Sequence, residues 1–269
     1  MRILNDFTGR EIELPENLVS IISLNPSITE TLCLLGLEKK LKGVSAFCRR
    51  PASVTNIRKI GSYSTYNEKI VDEINPDIIF TISGYQNELT KQLVKKYNVF
   101  QFELPSTPFG ILDMVNRVGI VSGNIREAQN LVNNLWRNYD PPVKKTRSYI
   151  EIDLGGPVSF GSLSYITSTL NYYGMQTPFD SESREWIEPD YNRVKEFDPE
   201  IMIFEGKMYR GATVDDVKKR IGSTPLSETS AYRNDRIYCT PGKLDFFAHH
   251  GPSFFSETLP WLKMVIEAA

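Results

Sequence analysis

Apolar positions along the chain fall into short runs that alternate with stretches of helical spacing. VSIISL (Val19 to Leu24), LKGVSAF, DIIFTIS and NVFQFEL are β-branched or aromatic runs of strand length. Between them lie NPSITETLCLLGL, NEKIVDEI and NELTKQLVKKY, whose apolar residues recur three and four apart. Ser27 and Glu30 have the spacing of a capping box, and Gly36 suits the end of that helix. A helical stretch runs from Pro108 to about Asn138, broken at Ser122–Asn124 and ended by Asp140-Pro141-Pro142. Beyond it SYIEIDL, EIMIFEG and DRIYCT predict strands, LSYITSTLNYYGM and TVDDVKKRI predict helices, and a last helix is expected from about Pro252 to Ala269.

Strands alternating with helices predict largely parallel sheets covered on both faces. One segment is echoed: INPDIIFTISG (Ile74 to Gly84) resembles FDPEIMIFEGK (Phe197 to Lys207), each a helix end, a proline step, a buried strand and a glycine. The expected fold is therefore α/β, with two Rossmann-like lobes joined by a long helix. The boundaries expected are an N-terminal lobe at 1–107, connecting helices at 108–142 with the main helix about 124–139, and a C-terminal lobe at 143–269.

The formal charge of −2 over 269 residues changes little in this picture, except that it excludes a basic nucleic-acid binder. Basic pairs such as Lys39-Lys40 and Arg49-Arg50 are short and read as solvated surface. Three cysteines, Cys33, Cys48 and Cys239, share no CxxC spacing, so neither a disulfide framework nor a zinc site is implied. No run of about twenty apolar residues is present to span a bilayer. MRILNDFTGREIELP lacks the apolar segment of a secretory signal, which leaves two placements. The protein is cytoplasmic if Met1 is the native start, or exported with its signal missing from this sequence.

Open parallel sheets bind ligands beyond the carboxyl ends of their strands. The segments expected there are NPS, FCRRP, SGY and LPSTP in the first half, and GGPVSFGS, GKMYR and PGKLDFFAHHGP in the second. Rings are frequent among them, and YSTY (Tyr63 to Tyr66) and Trp186 add more in irregular segments. Aromatic side chains near glycines suit flat, partly apolar ligands, although single rings in loops often only cap a core. Motifs of the GxSxG, GxGxxG and GxxxxGK[ST] kinds are missing. Both histidines of the chain stand in one dipeptide, His249-His250. Adjacent side chains diverge, so the pair is not a metal-binding signature, but one imidazole could be an axial ligand to a bound chelate's metal. A hydrolase using His249 or His250 as base or metal ligand is the remote enzymatic alternative.

GREIELPENLVSIISLNPSITETLCLLGL resembles the start of substrate-binding proteins of ABC importers for cobalamin, haem and iron-siderophores. The likeness continues through VSAFCRRP, IGSY, NEKIVDEINPDIIF and VGIVSGNIREAQNLV, and ends with NDRIYCTPG and HHGPSFFSETLPWL; the cobalamin-type members look closest. It implies two α/β lobes bridged by a rigid helix, a metal chelate (cobalamin first, otherwise haem or a ferric siderophore) held between them, and no chemical conversion. It implies no cofactor of the protein's own, a monomer, an extracytoplasmic location and an ABC permease as partner. Carried over by position, Phe47, Tyr63, Tyr66, Tyr85, Phe160, Trp186, Phe246, Phe247, His249 and His250 become ligand contacts. In the cobalamin-type members the resemblance places the permease-docking acids usually seven residues before the proline that precedes a strand. Here those positions hold Lys69 and Asn192, leaving Glu68 and Asp190 nearby as docking candidates. That departure opens the alternative of a cytoplasmic corrinoid- or chelate-binding protein without a permease.

Overall fold

The computed structural model describes residues 2–5, 7–142 and 145–269. The chain packs as two compact units: Met1–Leu104 with Phe109–Arg137 and His250–Pro252, and Pro105–Pro108 with Asn138–His249 and Ser253–Ala269. The helices expected as a connector are thus counted with the first unit. The junction expected at 142–143 falls against residues 143–144, which lie outside the described residues.

In the first unit, β1 (Arg2–Asn5) and β2 (Arg10–Glu13) form an antiparallel hairpin. Then follow β3 (Ile21–Ser23), α1 (Pro26–Leu34), β4 (Leu41–Ser45), β5 (Lys59–Gly61), α2 (Glu68–Ile74), β6 (Ile78–Ile82), α3 (Asn87–Leu93), β7 (Val99–Phe102), α4 (Pro108–Ser122) and α5 (Ile125–Trp136). The sheet has the order β5-β4-β3-β6-β7, and every pairing in it is parallel. Successive residues of a strand face opposite sides. Ile21, Phe80 and Phe102 accordingly pack with Ile28 and Leu32 of α1 and Met114 and Val118 of α4. Ile22 and Ile79 pack on the other face with Val71 of α2 and Leu89 of α3. The two connecting helices meet closely where a Cβ on Gly119 would lie 2.1 Å from that of Ala128.

The capping box expected at Ser27 and Glu30 is replaced by a cap two residues earlier. Asn25 Oδ1 accepts from Ser27 N (2.9 Å) and Ile28 N (3.1 Å), and Pro26 takes the first helical turn, where its missing N–H costs nothing. Ser27 Oγ is left buried without a partner.

The second unit contains β8 (Thr146–Asp153), β9 (Pro157–Phe160), α6 (Tyr165–Tyr172), β10 (Met175–Gln176), β11 (Trp186–Ile187), α7 (Tyr191–Phe197), β12 (Ile201–Glu205), α8 (Val214–Ile221), α9 (Ser230–Arg233), β13 (Ile237–Cys239) and α10 (Leu259–Ala268). A π-helical turn, Phe254–Thr258, leads into α10. The sheet order is β11-β9-β8-β12-β13, with β10 also on β8. The β8–β12, β12–β13 and β10–β8 pairings are parallel, whereas β9 and β11 add antiparallel strands at one edge. The sequence echo has a backbone counterpart. α2 ends on Asn75 at φ 47° and α7 on Asp198 at φ 50°, each followed by proline and a fully buried strand.

Candidate functional site

In the first unit, four parallel strands end in segments that bring three predicted rings together. After β4, Cys48 is fully buried, with Sγ 3.2 Å from Ser45 Oγ and 3.1 Å from Thr29 Oγ1, and this anchor leaves Phe47 half-buried above it. After β5, the chain turns tightly from Ser62 N to Thr65 O (2.9 Å). A Cβ on Gly61 would meet Thr65 O at 2.0 Å, so only glycine allows the turn to close. Tyr63 stands in that turn and stacks on Phe47, with ring centroids 4.2 Å apart and planes 3° from parallel. After β6, a single turn carries Tyr85, whose ring meets Tyr63 edge-on at 5.2 Å. The buried Gln86 fixes this turn by accepting from Ile82 N (3.0 Å) and donating to Leu24 O (3.1 Å).

Asn25, the cap of α1, joins the group at the end of β3. Its Nδ2 donates to Tyr85 Oη (2.9 Å) and lies 3.4 Å from His250 Nε2. One amide therefore serves a helix cap, a tyrosine and a histidine. Tyr66 is placed elsewhere, packed edge-on to Tyr97 and against the Ile22–Val71 side of the sheet.

In the second unit the predicted rings separate. Phe160 is buried on β9 and pairs in register with Trp186 of β11, which is 45% exposed. Phe246 and Phe247 sit edge-on to Trp261 at 5.6 and 6.0 Å, and Phe247 also to Phe254. With 6% and 0% exposure, these two rings are packed into the interior of the second unit. His249 and His250 are both buried, and the division between the two units falls between them. Among the described residues no group of three or more His, Cys, Asp or Glu side chains gathers to hold a metal ion.

A cavity of about 250 Å³ opens in the second unit where β8 and β12 end, lined among others by Glu151, Asp153, Glu205, Lys207 and Arg220. Glu151, buried on β8, accepts from Tyr149 Oη (2.6 Å), Tyr191 Oη (2.9 Å) and Arg220 Nη2 (2.6 Å). Burial, followed by the Glu151 charge, pushes the Tyr191 phenol up to about 12. Glu205 is the other buried carboxylate at this end, and burial raises it to about 7 although three backbone N–H groups oppose the shift.

The sequence pattern that defines the family described as "Periplasmic binding protein" matches residues 21–244. The chain belongs to that family. Among its relatives is the uncharacterized ABC transporter substrate-binding lipoprotein YvrC of Bacillus subtilis, 20% identical over 252 residues, covering 87% of this chain and 76% of the relative. A structure from Staphylococcus epidermidis, described as a possible iron-binding (periplasmic solute-binding) protein, has the same fold. It superposes with a TM-score of 0.77 at 21% identity, covering 93% of this chain and 99% of its own. The periplasmic vitamin B12 binding protein BtuF of Vibrio cholerae gives 0.73 at 16% identity, covering 93% and 97%.

In this periplasmic binding protein the two docking candidates sit at corresponding helix starts. Glu68 opens α2 and lies 2.9 Å from Lys96 Nζ, which also contacts Asp72 at 2.7 Å. Asp190 caps α7, its carboxylate accepting from Asn192 N (2.9 Å). Among the described residues no helix is long and apolar enough to cross a membrane. Sequence reasoning missed Asn25, Glu151 and Glu205. For the last two a signal existed: Glu151 stands between Ile150 and Ile152 of β8 and Glu205 ends the apolar run of β12, where only dedicated partners make burial tolerable.

Proposed function

We propose that this protein captures a metal chelate without converting it, as the substrate-binding component of an ABC importer. The observation that carries this reading is the Phe47–Tyr63–Tyr85 group at the carboxyl ends of the first unit's parallel strands, with Asn25 and His250 beside it. Stacked, partly exposed rings held by anchored turns offer large apolar area with little side-chain entropy left to lose. Such a surface suits a broad ligand. Cobalamin is the first choice and haem or a ferric siderophore the next; the relatives described as vitamin B12 binding and as a possible iron-binding protein support this class. In the second unit Trp186 presents an exposed ring, paired in register with the buried Phe160, and both are proposed contacts. His249 or His250 is the proposed axial ligand to the bound metal. The lipoprotein relative supports an extracytoplasmic location and delivery to a permease. A monomer is the proposed state in solution.

Calorimetric titration with cyanocobalamin, hemin and a ferric siderophore tests the reading. Submicromolar affinity for one of them is expected, lowered about tenfold in Tyr63→Ala, which removes both ring contacts. Failure of all three to bind overturns it. A cytoplasmic carrier with no permease is the second reading, favoured by the Lys96 contact that engages Glu68 and by Lys69 and Asn192 at the family's acidic positions. A permease-containing membrane that retains the loaded protein would exclude this second reading.

A further inference from the structure

The segment Asp245–His249 has little regular structure, yet its backbone is held at Phe246, Phe247 and Ala248 by side chains from elsewhere in the second unit. Glu205, the last residue of β12, places one carboxylate across three consecutive amides. Its Oε1 accepts from Phe246 N (2.9 Å) and Ala248 N (3.3 Å), and its Oε2 from Phe247 N (2.5 Å). Tyr165 Oη donates to Phe247 O, and Thr258 Oγ1 donates to Phe246 O at 3.1 Å. The same carboxylate forms part of the cavity wall where β8 and β12 end. The segment leads directly into His249 and His250.

We infer that Glu205 is the positioning residue of the histidine segment: its carboxylate sets the path of residues 246–248 and so fixes where His249 stands. This rests on the reading of that segment as part of the ligand site, but the hold itself needs no ligand. A buried side chain kept only for packing would be replaced at least as well by an apolar one of similar size, because a lone buried carboxylate is costly. A positioning role demands acceptor oxygens. Asp245 is the charged group that acts most on Glu205, and the imidazoles of His249 and His250 follow on the same segment. Across the cavity stand Glu151 and Asp153 of β8, Lys207 and Arg210 of the next loop, and Asp216 and Arg220 of α8.

Two variants of the whole protein separate these roles by hydrogen exchange. In Glu205→Leu, exchange at Phe246, Phe247 and Ala248 should quicken at least about tenfold, because three amides lose their acceptor. Exchange in β12 and β13 should stay unchanged. Glu205→Gln, which keeps an acceptor oxygen at the same reach, should restore most of the protection. Equal protection in the Leu and wild-type proteins would overturn the inference, as would a Gln variant no better than Leu.

Should the Leu variant fail to fold, a pH series on wild type decides. An opened segment exposes a carboxylate of ordinary affinity for protons, so the contribution of Glu205 to closure is complete below about pH 4.5 and lost as pH rises through about 7. Protection corrected for intrinsic exchange should therefore fall through that pH in wild type and stay flat in Glu205→Gln. A flat wild-type profile would overturn the inference. Titration with cyanocobalamin and hemin adds a separate readout: the probe that wild type binds should bind about tenfold more weakly to Glu205→Leu. If wild type binds neither, the ligand reading fails while the exchange data still judge the hold.

Discussion

At the residue scale, Asn25 joins a helix cap, a tyrosine and a histidine through one side chain. Its side chain caps α1 through two backbone amides and reaches Tyr85 and His250 with the other end. Asn25→Ala should cost about 1–2 kcal/mol from the cap alone and remove the bond to the Tyr85 hydroxyl. Ser27→Ala should be neutral or slightly stabilising, since the hydroxyl it removes is buried without a partner. Urea midpoints of the two variants check both; a larger loss for Ser27→Ala would restore the capping box. The mistaken cap has a plain cause. Asn-Pro-Ser offers two capping side chains in a row, and only the backbone at Asn25, extended before a helical Pro26, selects the first. The burial of Phe246 and Phe247 was not legible for a different reason. A ring in a loop faces solvent or core according to what arrives from afar, here Trp261 and Phe254, which local sequence does not encode. That Phe47, Tyr63 and Tyr85 follow strand ends was legible from the apolar runs before them, but their mutual stacking was not.

At the element scale, the strands were legible wherever burial on both faces makes an uninterrupted apolar run, as in β6 and β12. Short edge elements were not: β9, β10 and β11 span four, two and two residues, too few to show a period. The repeated helix–proline–strand unit yields a paired prediction. Asn75 and Asp198 both hold positive φ, which asparagine, aspartate and glycine accept more readily than other residues. Asn75→Gly should change stability by less than about 0.5 kcal/mol, while Asn75→Ala should cost about 1 kcal/mol. Asp198→Gly should be the more damaging of the two glycine changes, because Asp198 also accepts from Ser230 N (2.6 Å) and Ser230 Oγ (2.7 Å). Those bonds hold its carboxyl below the usual range. Thermal midpoints of the three variants test the pairing, and equal losses for both glycine changes would mean that the Ser230 bonds contribute nothing net.

At the scale of the whole molecule, its carboxylates pull stability in opposite directions with pH. Glu205 and Glu185 are both raised to about 7 from a reference of 4.5, chiefly by burial. Between those values the folded state binds more protons than the unfolded chain, so their contribution is complete below about pH 4.5 and lost as pH rises through 7. Asp72, Glu182 and Asp198 are lowered, by the hydrogen bonds of Lys96, Arg193 and Ser230 respectively. Their contribution has the other sign: present above the ordinary carboxylate range and lost as acid titrates the folded groups. All three are partly solvated, so salt should weaken this acid limb, whereas the limb set by buried Glu205 should resist it. The thermal midpoint should therefore peak at mildly acidic pH and decline on both sides. Glu205→Gln, which cannot ionise, should flatten the decline toward alkaline pH and leave the acid side untouched. A scan of wild type and this variant at low and high salt would measure both limbs. An alkaline decline unchanged by Glu205→Gln would place the responsible proton elsewhere, with Glu185 the next group to replace.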